Sequence, residues 1–174
     1  MNIIVITLLF LLNIRSRSFK QLKTHAPSII YVMTFNMLYY YLCKHYLLWD
    51  FKAKFMSVRT VRALHIFVCI PLLILLYLAN FPKENRVLYI TKWVIGSTIC
   101  EMFAVKQGVI FFKRGWHIGW SAMLYLKMYV YSYLFKQYKL LVIGLSFVTT
   151  GAALKIFNVP VRRDIFNGPL RRFF

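Results

Sequence analysis

The sequence predicts an all-α bundle of transmembrane helices with six spans, or five if the first apolar segment only anchors the chain. Two observations support this class. The 174 residues are 60% hydrophobic and 18% aromatic, with a mean hydropathy of +0.61, which is far more apolar than a soluble domain. The 23 Lys and Arg outnumber the four Asp and Glu, and they lie mostly in short segments between long apolar runs, as is typical of chains whose basic loops meet anionic headgroups.

The first two apolar segments cover residues 2–14 and 28–43. The first has thirteen residues, which is short against the roughly 20 needed to cross a bilayer core, so it is either a short span or an interfacial anchor. A basic loop follows it, and Pro27 stands near the start of the second span. Tyrosines at 39–41 end that span and Trp49 follows, an aromatic cluster typical of the headgroup belt.

The next segment, 50–62, is mostly basic and forms either a loop or an interfacial helix. Residues 63–81 form the third span. Pro71 is predicted to kink it, because proline lacks the N–H and its ring clashes with the preceding turn. His65 and Cys69 are four residues apart and share a face of the helix. Without a third ligand or an orienting acid nearby, a packing role is favoured over a Cys-His site.

The fourth span begins near Leu88 or Trp93, the fifth covers 116–135 and the sixth covers 140–157. Small residues in the fourth and sixth spans permit close helix contact. These spans belong to a single helical domain, residues 1–159. The remaining residues, 160–174, are a basic and aromatic C-terminal tail that we expect to rest on an anionic membrane surface.

The hairpin between the fourth and fifth spans contains Glu101, an acid inside an apolar run. If the fourth helix stops at Val105, Glu101 lies about 6 Å from its end and near the interface. If the helix covers 93–112, Glu101 is about 16 Å deep, and so is Lys127 when counted from Trp116. The second register raises the hypothesis of a buried Glu101–Lys127 ion pair. Its role as a packing contact is favoured over a role as an ion or proton site.

A short motif surrounds this hairpin. It consists of Glu101, Lys106, Gly108 and Ile110, then Gly115, Trp116, Trp120 and Ser121. With the Pro71 span and the Leu48-Trp49-x-Phe51 segment, it resembles an uncharacterised family of small multi-pass membrane proteins from Bacillus and Clostridium-type endospore formers. The resemblance covers most of the chain from the first basic loop to the sixth span. It implies a helical protein of the bacterial cytoplasmic membrane and supplies no catalytic residues. Phe111, Arg114 and the arginine-rich tail depart from the family pattern.

Several kinds of site are not indicated. Three widely spaced cysteines without a C-x-x-C motif predict neither a disulfide framework nor a zinc site. Glu101 has no second carboxylate for metal binding or acid-base catalysis, and no Gly-rich phosphate loop is present. We therefore expect no metal, no cofactor and no enzymatic activity. Nucleic acid is not the expected partner either, because the basic residues follow the ends of apolar runs.

The function favoured by the sequence is that of a non-enzymatic multi-pass protein of the cell membrane, which packs with itself, with lipids or with another membrane protein. The expected lipid contacts are anionic headgroups. The alternative is a small transporter or channel subunit that uses Glu101, with contributions from Lys127, His65 and Trp120. Orientation stays open, because eight basic residues fall on one predicted side and eleven on the other.

Overall fold

A computed structural model describes residues 2–44, 46–52 and 56–160. Within them the chain forms six helices and two short strands. The elements are α1 (Asn2–Arg15), α2 (Leu22–Leu42), β1 (Trp49–Phe51), α3 (Val58–Ala79), α4 (Arg86–Lys106), β2 (Ile110–Phe112), α5 (Ile118–Leu134) and α6 (Lys139–Ile156). The predicted C-terminal tail lies outside the described residues except for Pro160.

The helical class is confirmed, and three helices are long and apolar enough to cross a membrane: α3, α4 and α6. The first helix, α1, is apolar but shorter. α3 is the central helix, because half of its most apolar stretch is buried, against 6% for α4 and 11% for α6. α4 and α6 instead direct most of their apolar side chains outward, as expected of helices whose surroundings are lipid.

Two helices begin earlier than predicted. α2 begins at Leu22, so Pro27 lies inside the helix rather than before it. α3 begins at Val58, where the hydroxyl of Ser57 accepts a 3.1 Å hydrogen bond from the amide of Thr60. This serine cap satisfies one of the free N–H groups of the first turn. Within the basic segment 50–62, residues 50–51 therefore belong to a strand and residues 58–62 to a helix, so its described residues are not a single loop or a single interfacial helix.

Pro71 is accommodated by an irregular turn in α3. The five residues His65–Cys69 form a π-helical turn, in which the amide of Ile70 donates to the carbonyl of His65. Proline cannot donate such a bond and its ring crowds the preceding turn. A wider turn directly before it is one way in which a helix adjusts locally. The kink that the sequence predicts at Pro71 stays a prediction, and the irregular feature that the structure shows here is this π turn.

The main core lies where α2, α3 and α5 meet. Ile74, Leu75 and Tyr77 of α3 and Tyr129 of α5 are at most 1% exposed. Tyr77 and Tyr129 pack with ring centroids 4.6 Å apart. Their burial makes α3 the element around which the other helices assemble.

Polar side chains inside the bundle connect one helix to another. The hydroxyls of Tyr31 and Ser146 are 2.5 Å apart and join α2 to α6. Those of Ser97 and Tyr129 are 2.6 Å apart and join α4 to α5. The side-chain amide of Asn13 on α1 donates a 3.0 Å bond to a backbone carbonyl of α3. Such contacts are a usual means of helix association in membranes.

A small antiparallel sheet closes one end of the bundle. β1 pairs with β2 so that Trp49 lies opposite Phe112 and Phe51 opposite Ile110. We call this end, with residues 43–44, 46–52, 56–57, 107–117 and 157–160, the sheet end. The hydroxyl of Tyr39 donates to the carbonyl of Trp49 at 2.9 Å, and the two rings stack at 5.1 Å. Tyr39 and Tyr40, which are predicted for a headgroup belt, contact this sheet end, and Tyr40 is buried there.

Candidate functional site

Glu101 lies close to the sheet end of α4 because the helix stops at Lys106. Gly108 has φ +67°. Its amide donates to the carbonyl of Val105, and the amide of Val109 donates to the carbonyl of Ala104. These two bonds and the left-handed glycine are the Schellman arrangement that ends helices. Glu101 is therefore about 7.5 Å from the helix end. The deeper register, with α4 continuing to residue 112, is wrong.

α5 begins with a histidine cap that positions the partner of Glu101. The Nδ1 atom of His117 accepts a 3.1 Å hydrogen bond from the amide of Gly119. A Cβ atom at Gly119 would lie 2.9 Å from the imidazole ring, so a side chain there would displace the cap. With the helix started in this way, Ser121 points toward α4 and is 1% exposed.

A chain of hydrogen bonds ends on the Glu101 carboxylate. The indole Nε1 of Trp116 donates to the hydroxyl of Ser121 at 3.0 Å. The same hydroxyl donates to Oε1 of Glu101 at 2.6 Å. The length of the second bond is typical of an O–H donor on a charged oxygen. The motif found in the sequence is thereby explained in part, because Trp116, Ser121 and Glu101 form one network.

The other neighbours of Glu101 are also neutral. Tyr125, one turn after Ser121 on α5, interacts with the Glu101 carboxylate through its hydroxyl. Tyr125 in turn lies near Tyr129 and Cys69. Glu101 itself is half-buried. Its hydrogen bonds with neutral groups offset part of the cost of placing a carboxylate in an apolar helix.

The predicted Glu101–Lys127 ion pair is not present among the described residues. The ammonium of Lys127 lies 5.9 Å from the ring centre of Phe35 on α2 and 5.8 Å from that of Tyr131. The reason is geometric: Lys127 is about 160° around α5 from Tyr125, at 100° per residue. It is also about 13.5 Å from the start of α5, deeper than Glu101. The contacts of Lys127 are of the cation–π type.

The remaining motif residues shape the sheet end. Lys106 is the exposed last residue of α4. Gly115 has φ +80°, a backbone conformation that glycine adopts at little cost. Trp120 packs against Phe157, with ring centroids 5.2 Å apart. Three of the motif residues, Gly108, Gly115 and Trp120, thus set the backbone and packing around the hairpin.

A second polar site was not predicted from the sequence. The guanidinium of Arg62 on α3 binds both carboxylate oxygens of Asp50 on β1; the Nε–Oδ1 distance is 2.9 Å. The same guanidinium lies 5.3 Å from the ring centre of Tyr40. Asp50 is 7% exposed. The sequence did contain a signal for this pair: Asp50 is the single acid in a basic segment, so a nearby Lys or Arg was the natural partner for its carboxylate.

His65 and Cys69 lie at the two ends of the π turn. The His65 ring packs edge-on against Phe51 at 5.1 Å and against Trp49 at 6.0 Å. Its Nδ1 atom is buried without a hydrogen-bond partner. Within the described ranges, no group of three His, Cys, Asp or Glu side chains lies close enough to hold a metal ion. The contacts of His65 are those of a packing residue.

Comparisons with known proteins identified no relative of this chain. The chain matches no protein-family model, no curated protein and no solved structure.

Proposed function

We propose that this protein is a non-enzymatic, multi-pass protein of a bacterial cytoplasmic membrane that acts as a structural or interaction component. The observation that carries the proposal is that polar side chains inside the bundle form hydrogen bonds to neighbouring helices. Glu101 is bound by Ser121, and Ser97 pairs with Tyr129. A polar side chain that is already bound to a neighbouring helix serves packing.

The apolar outer surfaces support a membrane location with several spans. α4 and α6 carry exposed large side chains along their length, including Val87, Leu140 and Val148 at 78%, 86% and 68% exposure. Soluble proteins rarely expose apolar patches that are larger than a few hundred Å². Contact with lipid or with another membrane helix accounts for these surfaces.

A small transporter or channel subunit is the second candidate. One observation favours it: within the described part of the chain, no Lys, Arg or His forms an ion pair with Glu101, so no protein cation occupies the place of a transported one. Intramembrane carboxylates commonly mark proton or ion pathways. Lys127 no longer belongs to this candidate site, because it faces Phe35.

Purified protein in proteoliposomes separates the two candidates. The structural role predicts no pH- or cation-dependent flux above that of protein-free liposomes, for the wild type and for Glu101→Gln alike. Flux in the wild type that is lost in Glu101→Gln and kept in Lys127→Gln would instead establish the transporter. Lys127→Gln is the matched control because it alters an intramembrane charge on the opposite face of the same hairpin.

A further inference from the structure

The turn that joins β2 to α5 holds an arginine in an unusual backbone conformation. Arg114 has φ +55° and is followed by Gly115 with φ +80°. The amide of Trp116 donates to the carbonyl of Lys113 at 3.0 Å, which closes a four-residue turn. Two consecutive residues of positive φ in such a turn are typical of Asn-Gly or Gly-Gly, not of arginine. Non-glycine residues in this region are strained, because the Cβ atom approaches the backbone too closely.

The side chain of Arg114 is held in place as well. One guanidinium nitrogen donates to the carbonyl of Leu47 at 2.5 Å. The guanidinium carbon lies 4.0 Å from the ring centre of Tyr46, so the planar group stacks on the aromatic ring. Most long surface side chains lose considerable entropy when they bind a ligand. Arg114 is already ordered, and its residue remains exposed.

No acid neutralises this cation within the described ranges. The ion pair present there joins Asp50 to Arg62, so the acid on β1 is already occupied. Three further exposed cations belong to the same end, Lys44, Lys52 and Lys113, and the exposed Lys106 lies directly before it at the end of α4. The amide of Lys113 donates to the carbonyl of Leu48 at 2.8 Å, which fixes the turn on the sheet. The described residues of the sheet end therefore form a positively charged surface in which Arg114 is held by its backbone turn and its side-chain contacts.

The surroundings of Arg114 fit a lipid. The turn lies between the end of α4 and the start of α5, at the level where membrane helices carry tryptophan and tyrosine belts. Trp116 and Trp120 lie beside it, partly exposed. Phe103, near the end of α4, is 59% exposed. An exposed cation together with exposed apolar and aromatic side chains near the same helix ends matches the two parts of a phospholipid, the charged headgroup and the acyl chains.

We propose that Arg114 is the centre of a binding site for the phosphate of an anionic phospholipid headgroup at the sheet end. A guanidinium with one N–H engaged by Leu47 has four left, enough for a bidentate contact with phosphate oxygens. The neighbouring lysines add long-range attraction. This inference rests on the proposed membrane location and names a partner for it.

Binding of phosphatidylglycerol to the full-length, detergent-solubilised protein tests the site, with phosphatidylcholine as the uncharged reference, by native mass spectrometry. Arg114→Asn removes the guanidinium, and asparagine tolerates positive φ. Its matched control is Arg17→Asn at the opposite end, where an exposed arginine also has positive φ, +54°. We expect about a tenfold weaker affinity for phosphatidylglycerol in Arg114→Asn, the size of one charge-assisted contact. Arg17→Asn should change it less than twofold.

Equal losses in the two variants would overturn the site, because they would indicate attraction by net charge alone. So would inorganic phosphate or a short oligonucleotide that displaces the lipid at micromolar concentration. Should Arg114→Asn not fold, Arg114→Lys is the variant to test, because lysine keeps the positive charge but cannot form the two parallel hydrogen bonds of a guanidinium. Wild-type affinity for phosphatidylglycerol in Arg114→Lys would contradict the proposal. A protein that fractionates away from membranes would refute the proposed function, whereas unchanged lipid binding in a membrane-embedded variant refutes this site only.

Discussion

The hydroxyl of Ser121 donates a 2.6 Å hydrogen bond to the carboxylate of Glu101, and this contact joins α4 to α5. It gives the one acid within an apolar run a partner on the facing helix. The partner is neutral, and it is oriented by the indole N–H of Trp116. The contact explains why a carboxylate is tolerated at this position without a neighbouring cation.

The first prediction concerns Lys127. Because its ammonium lies over Phe35 and Tyr131, its removal should leave Glu101 unaffected. We expect the destabilisation by Lys127→Leu and by Glu101→Gln to be additive within about 0.5 kcal/mol. The measurement is a double-mutant cycle of unfolding free energies in mixed SDS micelles. A coupling energy above about 1 kcal/mol between the two substitutions would show that Glu101 and Lys127 do interact as an ion pair.

A second prediction concerns the Asp50–Arg62 pair. Asp50→Asn should lower the unfolding free energy by about 2–3 kcal/mol, because it leaves the bidentate guanidinium without its charged acceptor. Thermal unfolding in detergent measures the loss. Lys52→Gln, which changes an exposed charge next to the same strand, should cost less than about 0.5 kcal/mol. Equal effects of the two substitutions would mean that the pair does not stabilise the sheet end.

A third prediction concerns Cys43, which follows α2 and is 2% exposed. Burial raises the pKa of Cys43 to about 11, so the reactive thiolate is scarce below that pH. In a Cys69→Ser, Cys100→Ser protein, maleimide should label Cys43 slowly at pH 7.5 and rapidly once SDS unfolds the chain. The rate in the folded protein should rise as pH approaches 11. Fast labelling at pH 7.5, equal to that of Lys52→Cys in a cysteine-free background, would show that Cys43 is accessible.

A fourth prediction concerns the cap of α3. Ser57→Ala removes the acceptor of the Thr60 amide and should cost about 1 kcal/mol of unfolding free energy, the usual value for a lost serine cap. Ser57→Asp restores an acceptor and should recover most of this loss. Thermal unfolding of the two variants checks both values. A Ser57→Ala protein as stable as the wild type would place the start of α3 elsewhere.

Local patterns in the sequence predicted the helices well and their partners poorly. Apolar run length located every helix, because each run is long. The bounds were missed at the starts of α2 and α3 and left open for α4, whose end was predicted at either Val105 or Phe112 and lies at Lys106. Glu101 stood out because acids are costly in such runs. The pairing of Trp49 with Phe112, which together with Gly108 ends α4 early, joins segments far apart in the chain. No local pattern carries that information, and the predicted depth of Glu101 was uncertain for this reason.

The same holds for the Glu101 site and the Asp50–Arg62 pair: the sequence identified the charged residues but not their contacts. Asp50 and Arg62 were visible as opposite charges in one segment, yet their contact depends on a strand and a helix cap that were not predicted. Lys127 was assigned to Glu101 by matched depth alone. Its true direction depends on where α5 begins, and that is fixed by the His117 cap.

The role of Glu101 is tested most directly by a double-mutant cycle between Glu101→Leu, which removes the acceptor of the Ser121 bond, and Ser121→Ala, scored by unfolding free energy in mixed micelles. If Glu101 serves to fasten α4 to α5, the two substitutions should be coupled by about 1 kcal/mol, the usual size of an interhelical hydrogen bond in a membrane protein. The expected result is that Ser121→Ala costs about 1 kcal/mol less once Glu101 is already replaced, because only the bond from Trp116 is then left to lose. Additive losses would contradict the fastening role of Glu101.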